Sequence, residues 1–154
     1  MANVDNDQLH GWPSNFCNTV WKSAAVENGI RFSLHSPDGD QGFPGAVTLD
    51  VTYTLTDNND FRIDYKAVTD KTTVVNFTNH TYYNLAGNGS GNVENQVMTI
   101  MADQVTPTDA YQVPTGEFVA VAGTPFDFRE PTPIGKNIRS TDPQMLIGRG
   151  YEKV

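Results

Sequence analysis

Residues 46–67 read A-V-T-L-D-V-T-Y-T-L-T-D-N-N-D-F-R-I-D-Y-K-A, and their rhythm decides the fold. Val47, Leu49, Val51, Tyr53 and Leu55 alternate with Thr48, Asp50, Thr52, Thr54 and Thr56. Successive side chains of a strand point to opposite faces, so residues 46–56 predict a strand with one apolar and one hydroxyl-rich face. Asp57-Asn58-Asn59-Asp60 turns the chain, because short polar side chains bond to nearby backbone and tolerate left-handed conformations. Phe61, Ile63, Tyr65 and Ala67 then alternate with Arg62, Asp64 and Lys66, whose face is solvated. Two alternating runs around a short polar turn predict an antiparallel hairpin.

The pattern extends both ways. Upstream, residues 19–26 predict a strand carrying Trp21. Asn28-Gly29 is a strong hairpin signal. Residues 30–35 alternate, which puts His35 with Arg31 and Ser33 on a wet face. Residues 36–44 are a turn region rich in Gly, Asp and Pro. Downstream, a turn at Asp70-Lys71 leads into V-V-N-F-T-N-H-T-Y-Y-N-L-A-G, residues 74–87. Its β-forming start predicts a third strand, so residues 46–78 are expected to form a three-stranded antiparallel meander. Short strands follow at 96–102 and 118–122, and Asp142 to Leu146 suggests one helical turn. Pro107, Pro114, Pro125, Pro131 and Pro133 cut the second half into brief extended pieces, since proline cannot donate to a ladder. Without a repeat or linker, residues 1–154 are expected to be one all-β, antiparallel domain, with residues 1–8 frayed.

Composition bounds the function. A compact domain of this length buries ~70% of its unfolded surface, enough for a core. The net charge of −8 argues against nucleic acid and against anionic membrane surfaces. A neutral sugar is indifferent to it. The single cysteine, Cys17, reads as a structural thiol, forms no internal disulfide and fits a reducing compartment. Residues 1–10 lack an apolar signal core, and no apolar run approaches ~20 residues. A cytoplasmic location is therefore expected. The three histidines and the cysteine show no ligand spacing, so neither metal nor cofactor is expected. Three Asn-X-Ser/Thr patterns, among them Asn88-Gly89-Ser90, read as accidents of Asn-rich sequence.

The stretch that opens at Val74 is odd. Its pleat would put Asn76, Thr78, His80 and Tyr82 on one face. Together they offer donors, acceptors, a titratable ring and an aromatic surface. A sugar needs such a set: hydrogen bonds for its hydroxyls and a flat ring for its C–H face. On spacing alone, a lone strand histidine is more often structural.

T-N-H-T-Y-Y-N-L at residues 78–85 resembles the T-N-H-S-Y-F-N-L motif of the aldose 1-epimerases, or galactose mutarotases. Leu9-His10-Gly11 is similar to the family's L-H-G-G, with Trp12 at the second glycine. Ala102-Asp103 with Thr106-Pro107 resembles A-D-x-x-T-P. Residues 114–117 match P-T-G-E, residues 123–129 match G-T-P-F-D-F-R, and Pro133-Ile134-Gly135 follows. The matches run in order along nearly the whole chain.

The resemblance implies a β-sandwich of the galactose mutarotase type, incomplete here, and an isomerase of hexose metabolism. Mutarotation needs a base to take the anomeric proton and an acid to protonate the ring oxygen, each within about 2.6–3.2 Å. Imidazole suits the acid, because its unperturbed titration lies near neutrality. By resemblance His80 is that proton donor, and His10, Thr81 and Tyr82 bind the sugar. Tyr82 also reads as a half-buried aromatic, and Trp12 either stacks on the sugar, disturbs its loop or covers the core edge. Glu117 and Asp127 read as structural, with Asp127 and Arg129 paired.

Family members are about twice this long. An arginine-bearing N-R-I segment has no counterpart, and neither does the glutamate that acts as general base. Where the family has G-Y-D-H-N-F, Glu152 stands at the sugar-gripping aspartate. A fragment or truncated form is expected, with weak activity or none. The alternatives are a carbohydrate-binding module without catalysis, and a half-sandwich that associates with a partner chain or with itself through open sheet edges. A hexose-6-phosphate epimerase ranks lower, for want of a basic cluster.

Overall fold

Four strands in chain order build the first sheet. The computed structural model describes residues 10, 11 and 15–148, and by contacts the chain divides into two compact units, Met1–Asn79 and His80–Val154. In the first unit, β1 (Lys22–Val26), β2 (Gly29–Ser36), β3 (Val47–Leu55) and β4 (Phe61–Thr69) pair antiparallel in the order β1-β2-β3-β4. The β2–β3 register sets Leu34 opposite Leu49, Phe32 opposite Val51 and Ile30 opposite Tyr53. Leu34, Leu49 and Val51 are buried. The Tyr53 ring meets Phe32 edge-on at 5.9 Å and stacks on Phe61 at 5.8 Å. The other face is polar: Ser33 Oγ donates to Asp50, and His35 Nδ1 lies 3.4 Å from Thr48 Oγ1. The alternation read from residues 46–67 is thus the two-faced β3–β4 hairpin. Its turn is closed by Thr56 N–H to Asp60 O at 2.9 Å, with Asn59 left-handed at φ 65°.

Two expectations need correction here. Val26 opposes Gly29, so the first hairpin loop is Glu27-Asn28, one residue before the glycine, and Asn28 takes the left-handed turn at φ 52°. Gly29 lies in the strand because β3 runs close by: a Cβ there would stand 2.1 Å from Tyr53 O. The meander is β1 to β4 rather than residues 46–78. The strand expected at 74–78 carries no ladder. Val74 and Val75 are exposed, so their apolar side chains gain no core. The segment is held by side chains instead. Phe77 stacks on Phe16 at 6.2 Å, and Asn79 Nδ2 donates to Tyr53 Oη at 3.1 Å. The turn before it is pinned at both ends. Asp38 bonds Lys71 and accepts Gly45 N–H at 2.6 Å, while Asp70 Oδ1 accepts Ala46 N–H at 2.7 Å. Contact with Lys71 lowers the Asp38 pKa, and contact with Asp38 raises that of Lys71.

The second unit has little ladder. β5 (Val97–Met98) pairs with β8 (Thr132–Pro133), and β6 (Gln104–Val105) with β7 (Val119–Ala120). The longer strands expected at 96–102 and 118–122 shrink to these pairs. Proline removes donors and glycine turns interrupt the backbone: Gly116 and Gly123 sit at φ 84° and 75°. Val121, Phe126 and Met145 form the core cluster, with Val105 against it. Met145 belongs to α1 (Pro143–Ile147), the helical turn that the sequence suggested. Asp142 caps it, accepting Gln144 N–H at 2.8 Å, and Pro143 occupies its first turn, where a missing N–H costs nothing. The Gln144 carboxamide accepts Thr108 N–H and donates to Thr108 O, both at 2.9 Å.

Salt bridges complete the unit. Arg129 grips Asp127 through Nε at 2.9 Å and Nη2 at 2.8 Å, and reaches Asp103 at 3.2 Å. The expected pairing is present, on turns rather than on a strand. This two-point bond holds the Asp127 pKa at about 2 and raises that of Arg129. Arg139 binds Glu94 in the same fashion, at 2.9 and 2.6 Å. Gly135 lies against Glu94: its N–H donates to Glu94 O at 2.9 Å, and a Cβ there would stand 2.6 Å from Glu94 Cβ.

Two outcomes follow for stability. Gly29→Ala pushes a methyl into β3 and is expected to destabilise the first sheet by roughly 1–3 kcal/mol, read as a lower urea midpoint. A midpoint equal to the parent's would refute the close approach. Asp127 has a folded pKa below its unfolded one, so its contribution is full above about pH 4 and is lost as pH falls towards about 2. The midpoint difference between the parent and Asp127→Asn should therefore be flat above about pH 4 and shrink below it.

Candidate functional site

The side chains proposed from sequence lie on the irregular stretch after Asn79. His80, Thr81 and Tyr82 are all exposed, in the second unit. The His80 and Tyr82 rings lie 5.1 Å apart at 60°, an edge-type contact of the sort aromatic rings prefer. Residues two apart in extended backbone point the same way, which is what brings the two rings together. The exposure pattern agrees: Asn76, Thr78 and His80 are open, while Phe77 and Asn79 are partly covered. Tyr82 is 66% exposed, so it is a displayed aromatic rather than a half-buried one.

Side chains fasten the backbone on each side of the Asn79–His80 boundary within its own unit. Within the first unit, Phe77 and Asn79 hold it to Phe16 and Tyr53, as above. Phe16 is itself braced by Trp21, whose Nε1 donates to Phe16 O at 2.8 Å. Within the second unit, Asn84 is the fastening. Its Oδ1 accepts Ala86 N–H at 3.0 Å and Gln96 Nε2 at 2.8 Å. Its Nδ2 donates to Ser90 Oγ at 3.0 Å and to Gly91 O at 3.2 Å. One half-buried carboxamide thereby closes the loop over residues 84–96. The sequence reading singled out neither Asn79 nor Asn84. The available signal was their placement, one directly before the histidine and one just ahead of a glycine-rich turn, where asparagine organises backbone.

His10 is exposed and left-handed at φ 60°, and Gly11 follows at φ 73°. A Cβ on Gly11 would stand 3.3 Å from Asn15 Cβ. His35 faces outward on β2, as its alternation predicted. Cys17 is exposed, and its Sγ donates to Asn15 Oδ1 at 2.8 Å. Leu9, Trp12, Pro13, Gly150, Tyr151 and Glu152 lie outside the described residues.

The second unit also has an open polar hollow of about 580 Å³, lined by Thr124, Asp127, Arg129, Glu130 and Lys136 among others. A void of about 70 Å³ adjoins its core. His80 lines neither. Among the described residues, no three His, Cys, Asp or Glu side chains gather as a metal would require, and no helix is long and apolar enough to cross a membrane.

A profile of the family described as aldose 1-epimerase matches residues 2–154. The chain is 44% identical over 152 residues to a galactose mutarotase of Sus scrofa, covering 96% of this chain and 44% of that protein. It is 41% identical over 147 residues to an aldose 1-epimerase of Escherichia coli (strain K12), covering 95% and 42%. A crystal structure of a GalM/aldose epimerase homologue from C. elegans superposes with a TM-score of 0.77 at 32% identity, over 85% of this chain and 40% of that one. The galactose 1-epimerase structure from Lactobacillus acidophilus NCFM gives 0.74 at 33% identity, over 84% and 39%. The chain spans less than half the length of these relatives. The family profile over nearly the whole chain, the relatives and the structural likenesses converge on one conclusion: this chain belongs to the aldose 1-epimerase family.

Proposed function

We propose that this chain carries the acid side of a mutarotase site, and that the protein it represents interconverts the α and β anomers of an aldohexose such as glucose or galactose. The observation that supports the reading most is the exposed His80 ring set 5.1 Å from the Tyr82 ring. Tyr82 offers a flat apolar surface to the C–H face of a pyranose, and His80 offers a proton to its ring oxygen. The ring opens when that oxygen gains a proton as the anomeric hydroxyl loses one. The aldehyde carbon then turns about its bond to the next carbon, and the ring recloses on either face. Thr81 supplies a hydrogen bond to the sugar hydroxyls in this reading. Neither metal nor cofactor takes part.

The second reading is binding with little turnover, and it is favoured by length. More than half of each relative has no counterpart in these residues. In this reading the general-base glutamate that the family resemblance implies belongs to that portion. Losing one member of an acid–base pair costs ~10²–10⁴-fold in rate. The 154 residues by themselves are thus expected to bind an aldose and to turn it over feebly.

Polarimetry of freshly dissolved α-D-glucose or α-D-galactose separates the readings. The expected relaxation is little above buffer, and any excess disappears in His80→Asn. Relaxation far above buffer that vanishes in His80→Asn would mean that these residues hold a complete acid–base pair. Titration calorimetry is expected to show weak monosaccharide binding that Tyr82→Ala reduces by about tenfold, the loss of ~1.4 kcal/mol of ring contact. Binding unchanged in Tyr82→Ala would remove the tyrosine from the site.

A further inference from the structure

The sequence contains two Asn-Gly pairs, Asn28-Gly29 and Asn88-Gly89, and the structure treats them differently. We propose that Asn88 is a site of spontaneous, water-dependent modification: cyclisation through the Gly89 nitrogen, then opening to aspartate and isoaspartate.

The chemistry needs three things: a free carboxamide, a backbone nitrogen able to reach it, and no side chain in the way. Asn88 is exposed, and neither its carboxamide nor the Gly89 N–H has a hydrogen-bond partner among the described residues. Gly89 has no atom within 4 Å of the place a Cβ would take, and sits at φ 77° between two other left-handed glycines, Gly87 and Gly91. The turn bond of this loop joins Ser90 N–H to Gly87 O at 3.3 Å, which leaves the Gly89 nitrogen uncommitted. Asn28-Gly29 is the opposite case. Gly29 pairs with Val26 and with Thr54 in the sheet, and Tyr53 O crowds its α-carbon. Asn28 O accepts Leu55 N–H at 3.0 Å, which fixes its peptide.

The step balances. The Gly89 nitrogen attacks the Asn88 side-chain carbonyl carbon, a C–N bond forms, and the amide nitrogen leaves as ammonia, carrying the Gly89 proton. The product is a five-membered imide. Water then opens it at either carbonyl, giving a carboxylate on the normal backbone or on one lengthened by a carbon. One negative charge is gained. The change falls inside the loop that Asn84 closes through Ser90 and Gly91, just after the histidine motif.

The test is incubation of the folded chain at mildly alkaline pH, followed by tryptic mapping by mass spectrometry. Cleavage at Lys22, Arg31, Lys71 and Arg129 puts the two asparagines in different peptides. Electron-transfer fragmentation locates the converted residue and distinguishes isoaspartate. Asn88 is expected to convert roughly tenfold or more faster than Asn28, because the ladder must open locally before Asn28 can react. In denaturant the two rates should converge. Equal rates in the folded chain, faster conversion at Asn28, or an unaltered Asn88 would each overturn the proposal.

Discussion

Asn79 donates a 3.1 Å hydrogen bond to the hydroxyl of Tyr53, and much of the arrangement depends on that contact. Tyr53 stands on β3, an inner strand of the first sheet, with its ring between those of Phe32 and Phe61. A partly enclosed tyrosine needs a partner for its hydroxyl. Asn79 supplies one, and it is the residue immediately before His80. The register that places Tyr53 therefore also places Asn79, at the end of the first unit. Phe77 adds a second attachment two residues earlier, through its stack on Phe16. Backbone that lacks a ladder needs such side-chain attachments if its course is to be defined, since ordering each residue costs roughly 1–2 kcal/mol of conformational entropy.

The second unit meets the same requirement by other means. Its ladders are two residues long, too short to organise the chain between them. Forked contacts take over: Arg129 on Asp127, Arg139 on Glu94, Gln144 on Thr108, and Asn84 on four partners. Planar groups with paired donors fix direction as well as distance, so a few of them can define a loop-rich fold around a small core. Asp127 and Arg129, which invite a catalytic reading in a cleft, are explained by this architectural role.

The sheet was legible because its signal is periodic. Val47 to Leu55 and Phe61 to Ala67 announce their faces and pair in register, with Leu49 and Val51 buried on β3, while on β4 only Ile63 is partly covered and Phe61 and Tyr65 stay exposed. The Asp127–Arg129 pair and the helical turn near Met145 were legible from spacing. The strand over Val74 and Val75 was misread because β-branched residues report only that a pleated surface would suit them. They carry no information on whether a neighbour is there to bond. The Asn28-Gly29 loop was misplaced by one residue for a related reason: the glycine answers a close approach from Tyr53 O, which only tertiary structure reveals. The site divides in the same way. His80 and Tyr82 were read as sharing one face, and their rings lie 5.1 Å apart. Asn79 was overlooked because its partner Tyr53 lies far off in sequence, and Asn84 because its role is spread over Ala86, Ser90, Gly91 and Gln96.

The paired bonds between Gln144 and Thr108 have a wider meaning. A side-chain amide there imitates a peptide group, giving and taking hydrogen bonds as a neighbouring strand would. A true strand neighbour can be altered only by shifting a whole segment. This imitation is altered by changing one residue. The attachment of α1 to Thr108 is therefore a feature that evolution can strengthen or weaken in single steps, beside the separate bond from Gln112 Nε2 to Ile147 O, with the main-chain ladders of the unit left in place.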